Sequence, residues 1–500
     1  MKGKNIYNTL DKICGNKFFM LIFIPISIGF LLVFSFTTSP LFVNDGMDSA
    51  VFKTLGYAIL QGKKIYVDIF DNKGPLLFFI DAFGQWLIPG RTGIFLLQII
   101  GLSVALIFIY KTINLFTNNI NSFFVILLTL FIYGGLIQEG NQCEEWMMNL
   151  IAICFYLTFY YFKKHSDEPY PLKYSLLQGI IFAATFFIRP NDGVAWVGGL
   201  YAGIILYLLW RKEYKNVIQN IALFLLGTII VATPICLYFV HLGTLNDMLY
   251  GLWFFNLDYK NAPNFFLFWA YPQKMALMVV FITFAIMVWN TDCKKLLFPT
   301  IPLLIAGTLL IGTDFFSHYY IVMLPFFALY LTFILLQANR SILIIAIAII
   351  SFMPLVDNKP IFKVGRENYS EVMSALTNGQ ENITNFYQET GKLLNYIPEQ
   401  ERDQIWNYNL RWTGGKPLDP SAFSIFWHNK LIQCNKVTFG NNERLTQEDN
   451  IAVHKPKWIL VDHIWYDTQL IKKDTTLQNQ YEEIMRADTT ISTLRLYRRK

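Results

Sequence analysis

Apolar runs approaching twenty residues recur along this chain. They fall near residues 18–38, 94–112, 121–137, 147–163, 175–188, 193–210, 217–240, 274–290, 296–312, 319–338 and 341–356. A helix rises about 1.5 Å per residue, so roughly 20 apolar residues cross a hydrocarbon core of about 30 Å. The pattern therefore predicts about eleven membrane-spanning helices. A further apolar segment, 75–89 (PLLFFIDAFGQWLIP), is short, holds Asp81 and Gln85, and ends at Pro89-Gly90. It reads as a helix lying on the membrane with Trp86 at headgroup level. From about Asp357 the apolar runs stop. There QERDQIW (400–406) reads as helix, and KPKWILVDHIWY (455–466) and TTISTLRLYRR (489–499) read as strands. The expected architecture is an all-α polytopic membrane bundle over 1–356, with a first outer loop at 39–93, followed by a soluble α/β domain over 357–500.

The distribution of positive charge orients the bundle. With the N-terminal lysines in the cytoplasm and 75–89 kept at the surface, Lys111, Lys163, Lys164, Lys173, Arg211, Lys212, Lys215, Lys294, Lys295 and Arg340 all fall inside. Counting 75–89 as a span would move every one of them outside. The outer face then collects the 39–93 loop, the turn 138–146 (QEGNQCEEW), the turn Arg189 to Asp192, the loop 241–273, and Thr313 to His318. An odd number of spans also places the C-terminal domain outside.

Composition agrees with this picture. Of 500 residues, 54% are hydrophobic, 17% aromatic and only 15% charged, against about a quarter charged in soluble proteins. Mean hydropathy is +0.38. The net charge of +6 comes without a basic patch interleaved with aromatics, which argues against a nucleic-acid partner. Lys2, Lys4, Lys12 and Lys17 before the first apolar run read as a retained signal-anchor. The six cysteines lack CxxC spacing and lie away from histidines, which disfavours bridges and zinc fingers.

Candidate chemistry concentrates in the first outer loop. Asp45, Asp48, Asp68 and Asp71 stand there with Lys63, Lys64 and Lys73. The run DSAVFKTLGYAILQG (48–62) places Val51, Phe52, Leu55, Ile59 and Leu60 at helical spacing and ends at Gly62. It predicts a short amphipathic helix on the membrane, with Asp48 at its positive end as a plain N-cap or as a working carboxylate. Glu139, Glu144 and Glu145 form a second acidic group. Such carboxylates serve as general bases or cation ligands, with solvation or helix capping as the plainer alternative. Lys73, Arg189 and His318-Tyr319 supply cationic and hydroxyl groups suited to a lipid phosphate or a sugar; headgroup contact and an aromatic belt are their rivals. No P-loop, GxSxG, HExxH or dinucleotide fingerprint occurs.

The blocks DSAVFKT (48–54) and LQGKKIYVDIFDNKGPLLFF (60–79) resemble the first outer loop of GT-C glycosyltransferases. The branch they are most similar to is the family 39 type, which includes protein O-mannosyltransferases and the lipid A aminoarabinose transferase. In that branch an acidic pair opens a membrane-parallel helix and a D-x-K-G-P segment follows; here the pair is Asp48-Ser49. Gly84-Gln85-Trp86-Leu87 resembles the end of the next surface helix. Glu144-Glu145, Arg189-Pro190 and His318-Tyr319-Tyr320 with Pro325 resemble later positions.

The resemblance implies an inverting hexosyl or pentosyl transferase in a bacterial inner membrane. Its donor would be a polyprenyl-phosphate sugar and its acceptor a hydroxyl of a lipid, protein or glycan at the outer face. Asp48, with Glu144 or Glu145, would serve catalysis. Lys73, Arg189, His318 and Tyr319 would bind the donor phosphate, with Asp71 and Asp45 in support. No cofactor is implied with certainty, and a divalent cation (Mg or Mn) stays open. A transporter or flippase for a lipid-linked saccharide, and a non-catalytic membrane scaffold, are the alternatives. A transporter would more often show charges and helix breaks at mid-membrane.

Overall fold

A computed structural model describes residues 2–41, 47–138, 140–256, 272–310, 317–337, 393–407, 439–440, 443–444, 447–462, 475–488 and 493–500. The helices in chain order are α1 (Lys2–Cys14), α2 (Phe23–Phe34), α3 (Met47–Leu60), α4 (Pro75–Leu87), α5 (Arg91–Asn114), α6 (Asn119–Leu136), α7 (Cys143–Lys164) and α8 (Leu172–Phe186). They continue with α9 (Pro190–Trp210), α10 (Tyr214–His241), α11 (Leu245–Leu249), α12 (Pro272–Trp289), α13 (Leu297–Leu310) and α14 (Leu324–Gln337). A 3-10 segment, Ser317–Met323, leads into α14.

Among the described residues, five helical segments are long and apolar enough to cross a membrane: α5, α6, α9, α10 and Ser317–Gln337. A sixth would be Asn8–Cys14 with Phe18–Phe34, which bend by 77°. The other expected spans up to residue 312 coincide with the shorter or more polar helices α7, α8, α12 and α13, and 341–356 lies outside the described residues.

The chain divides into two compact units. The first comprises Met1–Ser35, Leu96–Ile235 and Ala262–Tyr369. Helices α9 and α13 approach closely there because Gly199 and Gly203 lie one turn apart. A Cβ on Gly199 would stand 2.7 Å from the Leu303 Cα, and one on Gly203 would stand 2.3 Å from the Phe298 carbonyl oxygen. This small-xxx-small spacing lets helix backbones meet where no water drives them together. Residues Gly193–Gly198 of α9 form a π turn directly after Asp192.

The second unit comprises Phe36–Phe95, Cys236–Asn261 and Ser370–Lys500. Its helices α3 and α4 are the two expected in the first outer loop. Pro75 at N1 pre-sets the helical φ of α4, and Gly74 is its N-cap. The 13 residues of α4 span only about 20 Å, too short to cross a bilayer. One face of α4 presents Phe83 and Trp86, 50% and 67% exposed and stacked at 5.8 Å. The opposite face buries Asp81 and Gln85 against α3.

Helix α3 is more enclosed than a surface helix should be. Phe52, Leu55 and Ala58 are buried, but so are Ser49, Lys53 and Thr54. The reason is the seam with α4. A Cβ on Gly56 would lie 2.7 Å from the Ala82 nitrogen. The Lys53 carbonyl accepts from Gln85 Nε2, and its ammonium donates to the Thr37 carbonyl at 3.1 Å.

The C-terminal part of this unit holds a four-stranded sheet in the order β1-β4-β6-β5, from β1 (Ile405–Asn407), β4 (Trp458–Asp462), β5 (Tyr481–Asp488) and β6 (Thr493–Arg499). Strand β1 runs parallel to β4, and the other pairs are antiparallel. A separate hairpin pairs β2 (Phe439–Gly440) with β3 (Glu443–Arg444). Alternation sends Ile405, Trp458, Leu460 and Leu496 to one core, and Trp406, Ile459 and Val461 to another. The strands expected in 455–466 and 489–499 are β4 and β6. The helix expected over QERDQIW is corrected: only Glu399–Glu401 is a 3-10 turn, and Ile405 to Asn407 pair with Trp458 to Leu460. Sheet pairing overrides the helical preference of Gln, Glu and Arg.

Candidate functional site

Two groups of candidate residues form, one within each unit. In the second unit, Asp48 lies in the first turn of α3, one residue past its start, so it is a first-turn carboxylate rather than the N-cap. It is partly buried. Its neighbour Ser49 is bonded to Thr37 through their hydroxyls at 2.8 Å. The loop after α3 is folded tightly on itself. The Lys64 N–H donates to Asp68 Oδ2 at 2.8 Å. Tyr66, a non-glycine residue at φ 70°, donates its N–H to the Ile69 carbonyl at 2.7 Å. A left-handed tyrosine is held only where its surroundings over-determine it. Here its ring is fully buried against Phe70, Phe78 and Phe239, and a Cβ on Gly251 would meet it at 2.5 Å.

That loop presents Asp71, Asn72 and Lys73. Asp71 Oδ1 accepts the Lys73 N–H at 2.8 Å, an Asx turn that fixes the backbone before Gly74-Pro75. Asp71 is only 7% exposed. Burial pushes its carboxyl above the usual carboxylate range; Lys73 and the turn N–H oppose this, and the nearby Asp48 charge adds to it. The Tyr66 hydroxyl donates to the Lys73 carbonyl at 2.7 Å. Burial, with the Asp71 charge adding, holds that phenol well above its ordinary pKa, so it stays a donor. The Lys73 ammonium donates to Asn72 Oδ1 at 3.2 Å and lies 5.9 Å from the Phe52 ring centre. The result is two neighbouring carboxylates, one at a helix start, and an ammonium on one short turn.

In the first unit, the second group forms where α7 and α9 begin. Arg189, the N-cap of α9, is paired with Glu144 and with Asp192, the latter at 3.3 Å. Glu144 is 2% exposed. The guanidinium also lies over the Tyr319 ring, 4.3 Å from its centre. His318 Nδ1 is 2.9 Å from Gln138 Oε1, and Gln138 Nε2 donates to Ser317 Oγ at 3.1 Å. Arg189, Glu144, His318 and Tyr319 are therefore together in the first unit. Asp192 and Gln138 join them without having been singled out. The i,i+3 spacing of Arg189 and Asp192 was the available signal for the first; Gln138 carried none.

Glu145 faces elsewhere. It closes a capping box with the Gln142 N–H, and Oε2 accepts from Gln98 Nε2 and the Tyr133 hydroxyl, each at 3.1 Å. The capping alternative is thus the arrangement observed for Glu145. Asp45, Glu139 and the turn 313–316 lie outside the described residues. Among the described residues no three His, Cys, Asp or Glu side chains are grouped to hold a metal ion.

The chain is a polytopic membrane protein with the fold of GT-C glycosyltransferases. Solved structures carry that likeness. Against the Archaeoglobus fulgidus oligosaccharyltransferase with Zn and sulfate, the TM-score is 0.52 at 12% identity, over 95% of this chain and 72% of that one. Against the same enzyme in its apo form the values are 0.52, 12%, 94% and 73%. ArnT from Cupriavidus metallidurans bound to undecaprenyl phosphate gives a TM-score of 0.51 at 9% identity, over 96% of this chain and 98% of that one. No protein-family model and no curated protein matches the sequence.

Proposed function

We propose that this protein is an inverting glycosyltransferase that moves a sugar from a polyprenyl-phosphate donor to an acceptor hydroxyl at the outer face of the membrane. The observation that carries the reading is the first-loop group, where the carboxylate of Asp48 and the Asx-turned ammonium of Lys73 are held on adjoining elements of one unit. The undecaprenyl phosphate bound by ArnT supports the choice of donor class.

Asp48 accepts the acceptor proton as the hydroxyl oxygen forms its bond to the anomeric carbon. The bond from that carbon to the phosphate oxygen breaks on the opposite face of the ring, and the electron pair leaves on polyprenyl phosphate. Lys73 steadies the charge that develops there. Asp71, beside Asp48, supports the base and anchors the turn. Within the first unit, Glu144 holds the Arg189 guanidinium in place.

The test is turnover by purified protein in vesicles. Membrane extract supplies undecaprenyl-phosphate sugars, and release of undecaprenyl phosphate is followed by mass spectrometry. Release with wild type and none with Asp48→Asn supports the proposal. Equal release by both removes Asp48 from the chemistry. No release with wild type, but movement of the intact donor between leaflets, supports the transporter instead.

A further inference from the structure

Asn256, just past the π-helical turn Tyr250–Phe254, carries no motif, yet it bonds directly to the DNKGP turn. Its Nδ2 donates to the Leu252 carbonyl at 2.9 Å, in the i−4 pattern of a side chain bonding back onto its own helix, and to the Gly251 carbonyl at 3.3 Å. The same amide donates to the Asn72 carbonyl at 2.9 Å. With three carbonyls on one side, only the nitrogen end of the amide fits there. Asn256 Oδ1 must then face Asn72, where it accepts from Asn72 Nδ2 at 2.9 Å. That contact fixes the Asn72 amide in turn, so that Asn72 Oδ1 points at the Lys73 ammonium, 3.2 Å away.

We infer that Asn256 is a positioning residue. Through the Asn72 amide it sets which atom meets Lys73, and so aims the ammonium that binds the donor phosphate. Released from Asn256, the Asn72 side chain is free to turn its NH2 toward the ammonium, where two donors repel. Two of the three carbonyls that orient Asn256, those of Gly251 and Leu252, belong to Tyr250–Phe254, a π-helical turn, a geometry that often marks functional positions. This inference rests on the phosphate role of Lys73 proposed above.

The test uses the full chain in nanodiscs and undecaprenyl phosphate as the probe, with binding read by native mass spectrometry. Asn256→Asp keeps size and shape but presents a carboxylate to three carbonyls. It should weaken binding at least about tenfold, equivalent to 1.4 kcal/mol, and should add nothing in a Lys73→Ala background. Asn72→Leu, which removes both ends of the relay, should behave likewise and serves if Asn256→Asp does not fold. Wild-type affinity in Asn256→Asp, or the same loss repeated on top of Lys73→Ala, overturns the inference while leaving the glycosyltransferase reading intact. Wild-type affinity in Lys73→Ala, or no binding by wild type, overturns the phosphate role itself and the inference with it.

Discussion

Arg189→Ala is the perturbation whose size the structure sets most directly. The guanidinium answers two carboxylates: Glu144, 2% exposed, and Asp192, 4% exposed and 3.3 Å away. Removing it leaves both in an enclosed place without their cation. Breaking a buried pair from one side costs about 3–5 kcal/mol, because the remaining charge has lost its solvent and its partner. Loss of the Tyr319 ring contact at 4.3 Å contributes up to about 2 kcal/mol within that. Glu144→Gln alone should cost less, since Asp192 still balances Arg189 and the new amide oxygen still accepts. In the double variant, Glu144→Gln removes one of the stranded charges and should offset part of the damage. Equilibrium unfolding in mixed detergent micelles, run as a double-mutant cycle, measures this. The expected coupling is about 1–3 kcal/mol. Costs that simply add, to within about 0.5 kcal/mol, would refute the idea that Glu144 and Arg189 form one unit.

Further outcomes follow from the same structure. Asp48→Asn should lower transfer by about 10²-fold or more while leaving unfolding unchanged, as expected for loss of a general base on a first helical turn; initial rates beside a melting curve check both. Gly56→Leu should destabilise the α3–α4 seam by about 1–3 kcal/mol or more, since its Cβ would already stand 2.7 Å from the Ala82 backbone; denaturant midpoints read the change. For Asp71, burial raises the folded pKa, so the native state holds the proton more tightly than the unfolded chain does. Its stabilising contribution is full below the unfolded value of about 3.9 and is lost as pH rises through the folded value. Asp71→Asn should flatten the decline in stability across that window, and an unchanged pH profile would remove Asp71 as its source.

Much of the frame was legible because membrane helices are written in long apolar runs and the first loop in turn chemistry. Gly74-Pro75 announced the start of α4, whose 13 residues are too few to cross a bilayer. The enclosure of α3 was not legible. Lys53 looks solvent-facing in sequence, but its ammonium reaches the Thr37 carbonyl and its backbone meets Gln85. Strand β1 was missed because its pairing with β4 is set about fifty residues away. The Gln142-x-x-Glu145 spacing did carry the capping box that occupies Glu145. Asn256 could not be found from sequence, since its contact is with a turn 184 residues earlier.

The most direct measurement is a mass comparison of envelope glycans and glycolipids from cells carrying the wild-type protein, the Asp48→Asn variant, or neither. The account predicts a sugar-sized mass increment on one acceptor class with wild type, absent from the other two. An envelope unchanged by removal of the protein, or an increment that survives Asp48→Asn in full, would contradict it.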